Sequence, residues 1–240
     1  MIDRSVSGVV LSCILLGSVA PVAAATPVLS TATTMADADL VDVTTLVPDI
    51  ALDMRYAGSD NFVGHRIEGY EAARCLLKTD VARALAEVER ALREKDLRLR
   101  LFDCYRPARA VGQFVEWASA ADDEDTRSRY YPRLDKSDLL GTYIAPVSGH
   151  SRGATVDLTL LQCDEDGTRC VALDMGTPFD FFDLRANTDS MEITNVQRAN
   201  RQRLRDVLQR GGFHNYSMEW WHYSYQPEPS PETIYDVPIR

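Results

Sequence analysis

From residue 46 onward the chain switches between two hydrophobic periods. Asp49-Ile-Ala-Leu-Asp-Met-Arg-Tyr56 alternates and predicts a strand, ended by the turn residues Ala57-Gly-Ser-Asp-Asn61. Between Tyr70 and Lys95 apolar residues recur at helical spacing (Leu77, Val81, Leu85, Val88, Leu92) among strong helix formers, which predicts one long helix. Leu97-Arg-Leu-Arg-Leu-Phe102 is close to strict alternation, a strand with one buried face, and runs into Asp103-Cys-Tyr-Arg-Pro107. Pro107 ends that strand and opens a second helix to about Ala120. An acidic loop with Tyr130-Tyr131-Pro132 follows, then strands over Thr155–Leu161 and Val171–Met175. Thr194–Arg210 predicts a basic helix capped by Thr194 and stopped by Gly211-Gly212, and Trp220–Tyr225 predicts a last strand before an irregular, proline-rich tail. No repeat occurs and no linker divides residues 46–240. Helices and strands mix without a βαβ rhythm, so the expected fold is α+β: one domain, a mainly antiparallel sheet with flanking helices.

The N-terminal end reads differently. Arg4 precedes an apolar or small run from Ser5 to Val19, and Ala23-Ala24-Ala25 supplies a small-residue cleavage pattern. Residues 1–25 are therefore expected to be a secretory signal peptide, the run being short for a membrane span. The alternatives are an uncleaved anchor and lipidation at Cys13, which sits mid-run with little apolar sequence before it. Residues 26–45 are rich in Thr, Ala and Asp and read as a flexible lead-in. Export, probed no further by composition, implies a periplasmic location and no stable membrane association once the signal is removed.

Export changes the reading of the cysteines. Cys75, Cys104, Cys163 and Cys170 remain after cleavage, and four cysteines allow three connectivities. A bridge from Cys163 to Cys170 across the turn-rich loop is the simplest pairing and leaves Cys75 for Cys104; four free thiols are the alternative. The net charge of −10 excludes nucleic acid as a partner, which calls for a basic footprint.

Two short stretches carry chemistry. Ser148-Gly-His-Ser-Arg-Gly-Ala-Thr-Val-Asp157 offers His150 and Asp157, and Glu219-Trp-Trp-His222 offers a carboxylate and a second imidazole. Two imidazoles and one carboxylate form the ligand set of a catalytic zinc with one position left for water. Glu219 is then the candidate base for that water, and Arg106, a cation that cannot deprotonate, the candidate for stabilising an oxyanion. Residues three apart in a regular strand face opposite sides, so Glu219 and His222 can share a site only at a strand start or irregularity. Singly, His150 would be a bonded loop residue, Asp157 a turn partner and Glu219 a solvated charge. Of the remaining histidines, His214, after a helix stop, reads as structural and His65 as a loop residue with no evident partner.

These stretches, with Arg55-Tyr-Ala-Gly-Ser-Asp-Asn-Phe62, Asp103-Cys-Tyr-Arg-Pro107, Val156-Asp-Leu-Thr-Leu160 and Asp174-Met-Gly-Thr-Pro-Phe-Asp-Phe181, carry a resemblance running from about Asp49 to the C-terminus. The chain resembles the VanX-type D-alanyl-D-alanine dipeptidases, within the zinc D-Ala-D-Ala peptidase group that shares a fold with the Hedgehog signalling domain. The resemblance implies one zinc per chain on His150, Asp157 and His222, Glu219 as general base and Arg106 at the oxyanion. It implies that Asp180, Tyr56 and Ser148 hold the charged ends of a small dipeptide, with Asp180 on its ammonium. Ala57-Gly-Ser-Asp60 is smaller than the family's usual Trp-containing stretch, which would loosen the pocket near Tyr56. Cys104 stands where a glycine is common and, with Cys75, implies an added staple. An exported enzyme cannot reach the cytoplasmic dipeptide pool, so scavenging of wall-derived dipeptides is the expected role. A D,D-carboxypeptidase acting on peptidoglycan stems and a non-catalytic zinc-binding module are the competing readings.

Overall fold

The computed structural model describes residues 27–240. In chain order its elements are β1 (Val28–Leu29), β2 (Leu40–Asp42), β3 (Ala51–Leu52), β4 (Leu76–Lys78), α1 (Thr79–Arg93), β5 (Leu97–Asp103), α2 (Ala108–Ser119), α3 (Glu124–Tyr130), β6 (Thr155–Cys163), β7 (Cys170–Ala172), α4 (Asn195–Arg210), β8 (Phe213–Asn215), β9 (His222–Tyr225) and β10 (Thr233–Ile234). The sheet that carries the site runs β3-β5-β6-β9-β8, with β7 paired to the far end of β6. Only β3 against β5 is parallel in it. The fold is thus α+β with an antiparallel-rich sheet, as the patterning predicts.

β6 is the central strand, and its residues Thr155–Leu161 are buried without a break. That continuous run, with no polar-out alternation, marks a strand covered on both faces. β5 keeps the alternation visible in its sequence: Leu97, Leu99 and Leu101 are buried and face the core, whereas Arg98 and Arg100 are half-buried on the other face. α1 lies along β4 and β5 and buries Val81, Leu85, Val88 and Leu92. Glu89 on that buried face accepts from the Leu99 amide at 2.8 Å and from Arg93 Nε at 2.9 Å, so the one acid among those leucines is paired.

The helix expected from Tyr70 begins only at Thr79. Leu76-Leu77-Lys78 forms β4 and pairs antiparallel with β2, Leu40 opposite Lys78. A short apolar run fits either period, and the partner strand decides. That partner lies inside the stretch read as a flexible lead-in, and this expectation is corrected for the described residues. Ala38, Leu40 and Val43 are buried, β2 pairs β4, and β1 pairs β10. Strands of two or three residues are too short to show a period, which is why patterning missed them. The strand expected over Asp49–Tyr56 contracts to β3, and a 3-10 turn at Arg55–Ala57 follows. The loop near Tyr130 contains α3, whose N-cap Asp123 accepts from the Thr126 amide. α4 begins as expected, with Thr194 and Gln197 forming a reciprocal capping box. The expected signal peptide falls on residues outside the described range. No helix among the described residues is long and apolar enough to cross a membrane.

Both disulfides pair as the simplest reading has them, Cys75–Cys104 and Cys163–Cys170. The first closes a loop of sequence separation 29 and ties β4 to the exit of β5; the second closes a separation of 7 at the β6–β7 hairpin. Loop-closure entropy assigns about 3.5 kcal/mol to the first and about 2.5 kcal/mol to the second. Replacing Cys75 and Cys104 by alanine should therefore lower unfolding free energy in urea by more than replacing Cys163 and Cys170. A smaller loss from the Cys75–Cys104 pair would contradict this ordering.

Candidate metal and substrate site

Strand register assembles the site. Asp103 of β5 lies opposite Asp157 of β6, and Asp157 lies opposite His222 of β9. An irregularity between Leu101 and Asp103 makes this possible. Leu101 pairs with Leu158 but Asp103 pairs with Asp157, so Phe102 is an extra residue on β5. A bulge shifts side-chain parity by one. Without it, Asp103 would continue the Leu97–Leu99–Leu101 face; with it, Asp103 turns to the side of Asp157.

His150 comes from outside the sheet, on the 3-10 turn Gly149–Arg152 just before β6. Ser148 caps that turn, its Oγ accepting from the His150 amide at 3.2 Å. Gly153 ends it at φ 73°, where an added Cβ would sit 2.8 Å from Leu40 Cδ2. Glu219 lies in the turn before β9, and His222 is the first residue of β9, the strand start that the spacing required. Asn215 Nδ2 donates to the carbonyls of both Glu219 and His222 at 3.0 Å and locks this turn.

The donor atoms converge. His150 Nε2 lies 3.3 Å from Asp157 Oδ2 and 3.3 Å from His222 Nδ1, and His222 Nδ1 lies 3.1 Å from Asp157 Oδ1. A tetrahedral zinc with bonds of about 2.0–2.1 Å holds its donors about 3.3–3.4 Å apart, so the spacing fits that ion. The other His150 nitrogen, Nδ1, donates to the Cys104 carbonyl at 2.6 Å, which fixes the tautomer and leaves the Nε2 lone pair facing the other donors. Asp157 is buried, and both of its oxygens face imidazole nitrogens of the donor set, a second mark of a site made for a cation. Among the described residues these three are the group able to hold a metal.

Burial dominates the electrostatics. It would raise the Asp157 carboxyl, but the charges and hydrogen bonds of His150 and His222 hold it well below the usual range. Burial would lower the His222 imidazole, yet its hydrogen bond to Asp157 raises it. A metal needs that imidazole neutral, so metal and proton compete here. Burial pushes Glu219 up to about 7 against the nearby His222 and Arg106 charges. Its Oε2 lies 3.5 Å from His222 Nδ1, beside the donor set.

The cavity beside the donors is small, about 50 Å³, and lined by Tyr56, Phe62, Tyr143, Ile144, Phe182 and Trp221. Asp180 reaches into it with its backbone at φ 58°, a strained setting for a residue other than glycine. Tyr56 Oη donates to both Asp180 oxygens at 3.0 and 3.1 Å. Among the described residues no cation pairs with Asp180, and burial, reinforced by the Asp157 charge, pushes its carboxyl well above the usual range. Arg106 is buried in the same wall, its guanidinium 4.9 Å from the Phe114 ring centre and 5.2 Å from that of Tyr56. Tyr56 packs among Phe62, Tyr70, Phe114 and Phe179, so the small residues at 57–60 do not loosen the pocket there. Ser148 is not part of this wall; the contact it makes is the cap on His150.

A family model described as D-Ala-D-Ala dipeptidase, peptidase M15, matches residues 36–240. The chain belongs to this family. It is 36% identical over 196 residues to a D-alanyl-D-alanine dipeptidase of Enterococcus faecium, covering 81% of this chain and 95% of that one. A D-alanyl-D-alanine dipeptidase of Enterococcus faecalis is 38% identical over 188 residues, 78% of this chain and 91% of its own length. One from Escherichia coli is 34% identical over 188 residues, 77% of this chain and 83% of its own.

In this M15 peptidase sequence reasoning passed over Asp103. It is fully buried, accepts from Tyr70 Oη at 2.7 Å and from Arg106 Nε at 3.0 Å, and stands 3.5 Å from His150 Nδ1. It holds the guanidinium that would face an oxyanion and flanks the first histidine. The signal was present: an acid occupied the next core-facing position of an alternating strand.

Proposed function

We propose that this chain is an exported zinc dipeptidase that hydrolyses D-Ala-D-Ala to two D-alanines. The observation that carries the reading is the buried Asp180 carboxylate. It lines the same cavity as the donor triad, and among the described residues no cation lies within ion-pair distance of it. A free ammonium is the ligand that satisfies such a group.

His150, Asp157 and His222 would hold one zinc, which when bound lowers the pKa of a water and polarises the scissile carbonyl. Glu219, beside that position, takes the proton from the attacking water and returns it to the departing amine. Arg106, kept in place by Asp103, presents a permanent cation to the developing oxyanion. Tyr56 orients Asp180 toward the substrate's ammonium. The small volume beside the donors and the buried Asp180 carboxyl favour the free dipeptide over a D,D-carboxypeptidase substrate. The paired machinery of Glu219 and Arg106 around the triad favours catalysis over a purely structural metal.

Export is supported by the apolar Ser5–Val19 run with Ala23-Ala24-Ala25 and by two disulfides in one domain. A periplasmic enzyme of this kind would act on dipeptides released from cell wall. Purified protein loaded with zinc should release two D-alanines per D-Ala-D-Ala consumed, lose that activity with a chelator and regain it on adding zinc. Absence of turnover in the zinc-loaded protein would overturn the reading.

A further inference from the structure

A second cavity has a volume of about 450 Å³, against about 50 Å³ beside the donor triad, and lies within the range of small-molecule sites. It backs directly onto the catalytic cavity. At three places consecutive residues serve the two chambers, the first lining the rear cleft and the second the catalytic one: Arg55 and Tyr56, Phe179 and Asp180, Trp220 and Trp221. The two chambers therefore share these three stretches of wall, and each is lined by different side chains.

Its floor is the polar face of the sheet, where Arg100 of β5 lies opposite Thr159 of β6. Its rim is the 173–179 segment, tied down by Asp174, which accepts from the Gly176 amide and from Gln197 at 2.8 Å, and by Thr177, which accepts from Trp220 Nε1 at 2.8 Å. The cleft is thus built in advance of any occupant. Its charges are unevenly used. Arg55 is paired with Asp53 at 2.9 Å and with Asp60 at 3.2 Å, and Asp174 is engaged by the rim. Arg98, one turn of the alternation away, is paired with Asp49 at 2.9 Å. Arg100 makes no ion pair or side-chain hydrogen bond among the described residues, so one fork of donors faces the cleft unspent. Beside it stand apolar rings: Phe102 and Phe179 stacked at 4.7 Å, with Trp220 along the wall.

We infer that this cleft binds a small organic monoanion, a carboxylate carried on an apolar or aromatic body. The guanidinium of Arg100 takes the carboxylate through two parallel hydrogen bonds, and the rings take the body. A phosphate fits less well, because its second charge would face the Asp53 and Asp174 carboxylates with no second free cation to offset it. This binding requires no turnover at the metal and does not rest on the dipeptidase reading.

Benzoate is the probe. Calorimetric titration of the zinc-loaded protein should show one benzoate per chain, binding more tightly than inorganic phosphate. Arg100→Gln should weaken it at least about tenfold, the scale of one charge-assisted contact. Ala172→Trp, at an exposed β7 position on the cleft rim, should weaken it as well by filling the space. Hydrolysis of D-Ala-D-Ala by Arg100→Gln should stay within about twofold of wild type, which separates this site from the metal. Benzoate binding that survives both substitutions would place it elsewhere, at the zinc for example, and overturn the inference. No binding by wild type at about 10 mM, or phosphate binding as tight as benzoate, would overturn it equally.

Discussion

Glu219→Ala is expected to keep its zinc and lose turnover by about 10²–10⁴-fold, the range for removing a general base. Retention of metal follows from how the site is held. The donors are positioned by the register of β5, β6 and β9 and by the capped turn at His150. The Glu219–His222 turn is clamped through backbone carbonyls by Asn215, which the substitution leaves intact. Folding should survive too, because burial already works against the Glu219 charge and the alanine removes a group that is costly to bury. The measurement pairs zinc content with kcat. A near-normal rate would move the base role to another residue, and loss of zinc together with activity would make Glu219 a ligand.

Acylating the amine of the dipeptide should slow its cleavage by about two to three and a half powers of ten. The cause is Asp180. In the free-amine complex its carboxylate gains a charged partner; with an acylated substrate that buried pair cannot form, a loss of about 3–5 kcal/mol. Tyr56 supplies only neutral hydrogen bonds to it and cannot make up the difference. Asp180→Ala should narrow the gap by harming the free dipeptide more than the acylated one. The kcat/KM values for D-Ala-D-Ala and N-acetyl-D-Ala-D-Ala, in wild type and variant, decide the matter. Equal cleavage of both by the wild type would transfer the argument to a D,D-carboxypeptidase.

The parts of this molecule that a sequence shows are those where local chemistry and tertiary environment agree. β5 announces itself because its alternation is the pattern of a half-buried strand, and α4 because Thr194 and Gln197 cap it locally. The requirement that Glu219 and His222 share a site forced a strand start between them, and β9 begins at His222. What stayed hidden depends on partners far along the chain. β2 is legible only once β4 is beside it, and β4 only once β2 is, so patterning alone shows neither strand and extends α1 back over β4. Asp103 shows in the sequence only as an acid continuing the β5 alternation; the bulge at Phe102 that turns it toward Asp157 leaves no mark in a hydrophobic pattern. Ser148, carried by resemblance as a substrate contact, also caps the turn that holds His150, a role that a motif does not distinguish from direct contact.

The claim on which the rest stands is that His150, Asp157 and His222 together hold a catalytic zinc. Titrating zinc into metal-free wild-type, Asp157→Ala and His222→Ala protein, with X-ray absorption of the loaded wild type, tests it directly. The account predicts one zinc per wild-type chain with two imidazole nitrogens at about 2.0–2.1 Å and oxygen donors completing the shell, and binding weakened by orders of magnitude in both variants. Zinc bound as tightly by either variant as by the wild type, or a shell without two imidazoles, would contradict it.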